Sequence, residues 1–130
     1  MQGPPPELRR GRPLSNRLSG AWGEDLALRY LSQKGYVLLE RNYRNRYGEL
    51  DLILEHENVL VFVEVKLRRG TGFGHPLEAV TPRKQASIRS LARQYLRDRR
   101  PRFFDALRFD VVGILVGNDE PEVVHIENAF

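Results

Sequence analysis

The sequence predicts one α/β domain with a mixed sheet flanked by helices, its elements following in the order αβββαββ. Two segments, 21–34 and 82–99, carry apolar residues at helical spacing between capping residues. The segments between and after them are rich in β-branched and aromatic residues. At 130 residues and 41% hydrophobic content, the chain is long enough for one buried core and short for two. We therefore expect residues 20–130 to fold as a single domain.

Residues 1–19 differ in composition from the rest of the chain. They hold half of the eight prolines and four arginines against one acid, Glu7, so +3 of the net charge of +4 lies there. Such a composition is typical of a disordered arm. A solvated tail is the simpler interpretation, and a contribution to non-specific phosphate binding is the alternative.

The first helix is predicted over residues 21–34, between Ser19, a good N-cap, and Gly35, a good C-terminal break. Glu24 falls at the edge of the apolar face, which is an unusual place for a solvated acid. The residues that form this face are Trp22, Leu26, Ala27, Tyr30 and Leu31.

Three strands are predicted next. The first covers 36–46, becomes basic along its length and ends before Gly48. The strongest strand patterns, at 49–54 and 59–66, form a hairpin that turns at residues 57 and 58. The strand at 59–66 is apolar on both faces until Glu64 interrupts it, which is typical of a central, buried strand.

The second helix is predicted to begin near Thr81 and Pro82, a cap followed by a proline at the first turn, and to end near Arg99. A glycine-rich loop at 70–76 precedes it. The loop is too irregular for a phosphate-binding motif and is better interpreted as a mobile flap, in which His75 is a loop residue or a phosphate contact. Two strands, at 109–116 and 122–126, complete the domain.

Two carboxylates are predicted to oppose each other in the hairpin. A two-residue turn pairs position 56 with 59, and the same register places Asp51 opposite Glu64 and Glu49 opposite Lys66. Opposed like charges destabilise a sheet, whereas a divalent cation held between them converts repulsion into binding. In the structural alternative Glu49 and Lys66 form a plain salt bridge, and Asp51 is protonated or paired with an arginine. The apolar strand favours the functional interpretation, because charges at the end of a buried strand are costly.

The ordered motifs resemble those of known nucleases. Asp51 followed by Glu64-Val65-Lys66 resembles the Asp…Glu-x-Lys signature of the PD-(D/E)xK superfamily, and Glu24 is similar to the acid that archaeal Holliday junction resolvases place before it. The full set, over about residues 20–116, resembles the bacterial YraN family of predicted endonucleases and implies a restriction-endonuclease-like core. The motifs are Glu40-Arg41-Asn42-Tyr43-Arg44, Gly48 to Ile53, Phe62 to Lys66, Pro76 to Val80, Lys84-Gln85 and Arg108-Phe109-Asp110.

The resemblance implies a metal site. Asp51 and Glu64, with the backbone carbonyl of Val65, would hold Mg²⁺ or Mn²⁺, which polarises a phosphate and lowers the pKa of a bound water. Glu24 would complete the metal shell or bind a second ion.

Two further positions receive catalytic expectations and one receives a structural expectation. Lys66 would orient the attacking water and offset charge in the transition state. Gln85, or Lys84 beside it, would contact that water or a phosphate, and a solvated first helical turn is an equal alternative. Asp110 is expected to be a structural partner of an arginine.

Basic residues surround the acidic positions. In the second helix they recur every four residues and form a stripe that can follow a phosphate backbone, unless they pair with neighbouring acids. Further basic groups precede Gly48 and follow the Glu-x-Lys. The residues expected to contact nucleic acid are Arg44, Arg68, Lys84, Arg89, Arg93 and Arg97.

We therefore expect a metal-dependent nuclease that acts on DNA. The resolvase resemblance favours branched or structured DNA, and the two-fold symmetry of a four-way junction would favour a homodimer. The alternatives are a non-catalytic nucleic-acid-binding module and a protein-interaction domain.

The absence of cysteine excludes a disulfide scaffold, a thiolate zinc site and a cysteine nucleophile. No apolar segment resembles a membrane span or a signal peptide, so a cytoplasmic protein with no membrane partner is expected.

Overall fold

The computed structural model describes residues 20–70 and 75–130, so the arm predicted at 1–19 and most of the glycine-rich loop predicted as a flap lie outside the described residues. The elements confirm the order αβββαββ. They are α1 (Gly20–Gln33), β1 (Val37–Asn45), β2 (Gly48–His56), β3 (Val59–Arg69), a 3-10 turn (Pro76–Ala79), α2 (Pro82–Arg99), β4 (Ala106–Val116) and β5 (Glu122–Ile126).

The five strands form one mixed sheet in the order β1-β2-β3-β4-β5. The pair β3 and β4 is parallel, and the other pairs are antiparallel. A parallel pair needs a crossover connection, which α2 supplies. The strand β3 lies at the centre of the sheet, as its apolar pattern on both faces predicts.

Each helix covers one face of the sheet. The α1 face is the side on which Trp22, Ala27 and Leu31 of α1 are buried. The α2 face is the side on which Ile88, Leu91 and Tyr95 of α2 are buried. The sheet residues are Leu52, Leu54, Val61, Val63 and Val112 on the α1 face, and Ile53, Leu60, Phe62 and Val111 on the α2 face.

The β2–β3 hairpin has the predicted turn. His56 pairs with Val59, and the register continues to the pair Leu52 and Val63. Glu57 and Asn58 at the turn have φ values of 51° and 63°. Positive φ at both central residues is what a two-residue type I′ turn requires.

Side chains alternate along a regular strand, so the sequence predicts Leu50, Leu52 and Leu54 on one face of β2, and this prediction is wrong at Leu50. Leu50 packs on the α2 face with its β1 partner Tyr43, whereas Leu52 packs on the α1 face. Residues two apart share a face in a regular strand, so β2 is irregular at Asp51. Opposite Asp51 in β1 lies Asn42, whose φ of 57° is in the left-handed region. A period of two along the sequence cannot anticipate such a local break.

Candidate metal and nucleic-acid site

Three carboxylates from separate parts of the chain meet beside the irregular point of β2. Glu24 comes from the first turns of α1, Glu49 from the start of β2, and Asp51 from the irregularity itself. Each offers an oxygen within 4.8 Å of the others. All three are half-buried, and the Glu24 side chain is only 13% exposed. This carboxylate cluster brings together Glu24 and Asp51, which the sequence predicts as metal ligands, and Glu49.

Asp51 contacts the backbone of β3. Its Oδ2 accepts a hydrogen bond from the Val65 N–H at 2.8 Å. The paired register of β2 and β3 ends at Leu52 and Val63, so the predicted cross-strand pairs of Asp51 with Glu64 and of Glu49 with Lys66 are wrong. Because β2 loses its alternation at Asp51, the side chain occupies the place where the next ladder contacts would form.

The surroundings of Asp51 raise the pKa of its carboxyl group. Burial raises this pKa from its ordinary value to about 7, and the negative charge of Glu64 acts in the same direction. The hydrogen bond from Val65 opposes the rise, whereas Glu24 and Glu49 add to it. Raised carboxyl pKa values beside other acids are characteristic of functional sites.

Glu64 lies beside two lysines. It is 5% exposed, and its Oε2 is 3.3 Å from Lys66 Nζ and 3.6 Å from Lys84 Nζ. The Glu-x-Lys pair is therefore assembled with the N-terminal turn of α2, close enough to Asp51 for Glu64 to raise its pKa.

The first turn of α2 uses its two predicted site residues differently. Thr81 caps the helix, and its Oγ1 accepts a hydrogen bond from the Lys84 N–H at 3.2 Å. The Lys84 ammonium extends to Glu64, whereas Gln85 Nε2 donates to the Val80 carbonyl at 3.0 Å. Lys84 therefore contacts the acidic residues and Gln85 holds the turn that precedes the helix.

Side chains of β1 bind two members of the carboxylate cluster. Glu24 Oε1 accepts from Arg41 Nε at 3.3 Å and from Asn42 Nδ2 at 2.9 Å. Glu49 lies 2.6 Å from Nη2 of Arg44, a side chain that is 70% exposed. Sequence reasoning missed these contacts of Arg41 and Asn42, although their place in the motif at 40–44 was a signal.

The predicted basic stripe of α2 is only partly formed. Arg93 and Arg97 are exposed and form no ion pair with any residue that the structure describes. Arg89 instead lies over the rings of Phe109 and Phe130, with its guanidinium carbon 4.9 and 5.4 Å from their centroids. Arg68 donates to the carbonyl of the preceding Leu67 at 2.9 Å.

Asp110 is a second buried acid, and its predicted role as partner of an arginine is confirmed. Arg108 donates to it from Nε at 2.9 Å and from Nη2 at 3.0 Å. The Nε2 atom of His125 is 2.8 Å away, and the Asn128 N–H donates at 2.9 Å. Burial acts to raise the pKa of Asp110, but the bonds from His125 and Arg108 outweigh it and hold the pKa below its ordinary value.

Fold and site together define a mixed α/β protein with a carboxylate cluster at one end of its central strands. The chain belongs to the Uncharacterised protein family UPF0102, the YraN family, whose model matches residues 23–114.

Relatives from several bacteria match most of the chain. A UPF0102 protein of Syntrophomonas wolfei is 55% identical over 115 residues, which cover 88% of this chain and 99% of the relative. One of Rhodococcus jostii is 52% identical over 116 residues, covering 88% and 98%. One of Bifidobacterium longum is 48% identical over 121 residues, covering 92% and 98%. Their names state the family alone, so any argument about activity starts from the site.

The helices also bear on the expected absence of a membrane partner. Neither α1 nor α2, the α-helices of the described residues, is long and apolar enough to cross a membrane.

Proposed function

We propose that this protein is a metal-dependent nuclease that hydrolyses phosphodiester bonds of DNA, with branched or structured DNA as the expected substrate. The carboxylate cluster carries the proposal. One carboxylate oxygen from each of three acids lies within 4.8 Å of the others, and burial and neighbouring charges raise the pKa of Asp51 to about 7. Glu24 and Glu49 contact Arg41 and Arg44, whereas no described cation contacts Asp51, so burial of the Asp51 charge is costly unless a bound cation offsets it.

The donor set fits Mg²⁺ or Mn²⁺. Both are hard cations that take carboxylate oxygens and keep several waters. Glu24, Glu49 and Asp51 would hold the ion, and Glu64 and the Val65 carbonyl remain proposed ligands from the family resemblance. When bound, the ion would polarise the scissile phosphate and lower the pKa of a bound water.

The lysines supply positive charge beside the cluster. Lys66 and Lys84 share one carboxylate, Glu64, so two ammonium groups face a single negative charge there. Lys66 would orient the attacking water and offset charge that develops on the phosphate. Lys84, at the N-terminal end of α2, would contact a phosphate oxygen, since that end of a helix also favours anions.

Exposed arginines provide a path for the nucleic-acid backbone. Arg93 and Arg97 lie on the outer side of α2, and Arg44 is 70% exposed beside the carboxylate cluster. A hydrogen bond between Asn45 and Gln94 joins the β1–β2 turn to α2, so both basic groups border one region. Exposed guanidinium groups are suited to phosphate. A two-fold symmetric junction would engage two copies of this surface, hence a homodimer.

The test is a panel of substrates and metals. Labelled duplex, single-stranded and four-way DNA are incubated with the full chain in Mg²⁺, Mn²⁺ or EDTA. We expect metal-dependent cleavage that Asp51→Ala and Lys66→Ala abolish and that Glu57→Gln, a change in the exposed hairpin turn, leaves intact. Cleavage that persists in Asp51→Ala would overturn the assignment.

A non-catalytic nucleic-acid-binding module is the second candidate. Arg93 and Arg97, which pair with no described acid, favour it as much as they favour a nuclease. It predicts DNA binding in EDTA with no cleavage under any metal. Absence of binding at low salt would instead favour a protein-interaction domain.

A further inference from the structure

The motif at residues 40–44 of β1 has no part in the proposed catalytic roles, yet each of its five side chains makes a polar contact. Two of the contacts anchor β1 to α2, and the others reach α1 or the carboxylate cluster. They are Glu40 with Arg99, Arg41 with Glu24 and Asp25, Asn42 with Glu24, Tyr43 with Asp98, and Arg44 with Glu49.

Asn42 has an unusual backbone at the point where it contacts the cluster. Its φ is 57°, a left-handed conformation that asparagine tolerates better than most residues. It lies opposite Asp51, between the pairs Arg41–Leu52 and Tyr43–Leu50, where β1 and β2 lose their alternation. In this conformation its Nδ2 donates to Glu24 Oε1 at 2.9 Å in a half-buried setting.

Arg41 also contacts the N-terminal part of α1. Its Nε lies 3.3 Å from Glu24 Oε1, Nη1 lies 2.5 Å from Asp25 Oδ1, and Nη2 donates to the Ala21 carbonyl at 3.1 Å. The contacts of Arg41 and Asn42 with Glu24 are thus to one oxygen, Oε1. Among the residues described, no hydrogen-bond donor contacts the other oxygen, Oε2.

We propose that Arg41 and Asn42 are positioning residues that hold the Glu24 carboxylate beside Glu49 and Asp51, so that Oε2 is offered to the divalent cation. The inference deepens the proposed function and rests on it. A glutamate near two other carboxylates is repelled by them, and its flexible side chain can turn toward solvent. Two donors on Oε1 remove that freedom and offset part of the charge. Hydrogen bonds of this kind orient metal-ligating carboxylates and tune their affinity.

The test separates positioning from structure by changing Asn42 to glycine in the full chain. Glycine adopts positive φ without strain, so Asn42→Gly keeps the backbone and removes only the amide. Asn128→Gly is the matched control, because Asn128 also has positive φ, 52°, and its side chain has no polar contact with any described residue. Mn²⁺ affinity is measured by titration calorimetry, and thermal unfolding is measured in EDTA.

We expect Asn42→Gly to bind Mn²⁺ about 10-fold more weakly than the wild type while its unfolding midpoint in EDTA stays within about 2 °C. Asn128→Gly should leave both quantities unchanged. An Asn42→Gly chain with wild-type Mn²⁺ affinity would overturn the proposal. So would an Asn42→Gly chain whose unfolding midpoint in EDTA falls together with its Mn²⁺ affinity.

A double-mutant cycle with Glu24→Gln tests whether Asn42 acts through Glu24. In the Glu24→Gln background, Asn42→Gly should cause no further loss of Mn²⁺ affinity. An equal loss in both backgrounds would refute the role of Asn42. A wild-type chain that binds no Mn²⁺ overturns the proposed function and this inference together, whereas Mn²⁺ binding with an unaffected Asn42→Gly overturns only the positioning role.

Discussion

Asp51 and Asp110 are both withdrawn from solvent next to β3, yet their surroundings are opposite. Asp110 pairs with Val63 across the sheet and accepts bonds from Arg108, His125 and the Asn128 N–H. Within the described part of the chain, Asp51 accepts a bond from the Val65 N–H and lies close to the carboxylates of Glu24 and Glu49. The pKa of Asp110 is accordingly lowered and that of Asp51 raised. Burial of an acid therefore does not by itself predict the direction of its pKa shift, which depends also on the hydrogen-bond donors around it.

Asp110 is thus an acid that stabilises the fold, whereas the charged form of Asp51 does not. The negative charge of Asp110 is balanced inside the domain and joins β4 to the C-terminal residues. The charge of Asp51 is offset among the described contacts by the Val65 N–H, and under the proposed function a divalent cation would balance it. Four predictions, in decreasing order of magnitude, test this difference.

Loss of the Asp51 charge should have the largest of the four effects, and the quantity that it lowers is the rate of cleavage. Asp51→Asn keeps an acceptor for the Val65 N–H and removes the charge that would bind a metal, so we expect the rate to fall on the order of 10³-fold. Single-turnover cleavage of four-way DNA in Mg²⁺ measures this. An Asp51→Asn variant that retains more than a tenth of the wild-type rate would contradict the proposed role of Asp51 in cleavage.

Loss of Asp110 should instead destabilise the domain. Asp110→Ala leaves Arg108 and His125 without their shared acceptor in a region where the acid is 1% exposed. Breaking a buried ion pair by removing one partner costs about 3 kcal/mol or more. Urea unfolding at pH 7 measures the free energy, with Asp119→Ala in the exposed β4–β5 turn as the control. A change no larger than that of the control would show that the Asp110 network contributes little.

Asp51→Asn should stabilise the metal-free chain at pH 8 by about 2 kcal/mol, because the folded protein no longer holds an unbalanced carboxylate. The folded pKa of Asp51, about 7, lies above its ordinary value of 3.8. The stability that Asp51 contributes is therefore complete below 3.8 and is lost as the pH rises through 7.

Urea unfolding of the wild type and Asp51→Asn in EDTA, from pH 4 to pH 8, measures this effect. The advantage of Asp51→Asn should shrink as the pH falls toward 4, and saturating Mn²⁺ should remove or reverse it at pH 8. A stability advantage of Asp51→Asn that is independent of pH would show that the substitution acts through packing and not through the removal of charge.

The cations on α2 differ from Arg108 in the same way, and their loss should have the smallest effect. Arg108 is balanced by Asp110, whereas Arg93 and Arg97 pair with no described acid. Replacing both by alanine should weaken DNA binding by about 1–2 kcal/mol at low salt and reduce the slope of log K against log salt by about 2. Fluorescence anisotropy in EDTA measures both. Arg102→Ala, which removes a partner of Glu55 at the other end of the β2–β3 hairpin, should leave the slope unchanged.

Much of the fold is local and is therefore predictable from sequence. The Thr81 cap and Pro82 mark the start of α2, and the turn at Glu57 and Asn58 fixes the hairpin register as far as Leu52 and Val63. The apolar content of β3 on both faces places that strand at the centre. Caps, turns and periodicity act within a few residues, so the order of residues along the chain is enough to specify these elements.

The site depended on contacts between distant residues. The alternation rule placed Leu50 with Leu52 and paired Glu49 with Lys66, and both predictions failed because β1 and β2 are irregular at Asn42 and Asp51. Glu24, Glu49 and Asp51 were grouped at the site from sequence, but Glu49 was not predicted as a metal ligand, and the contacts of Asn42 with Glu24 were not predicted.

The amino-acid sequence thus identifies which residues are candidates for the chemistry and which elements carry them. The packing of the helices and strands determines which acids lie close together and which of them accept hydrogen bonds. Charge interactions act through space, so Asp51 and Asp110 look alike along the chain and differ only once α1, β1 and the C-terminal residues pack around them.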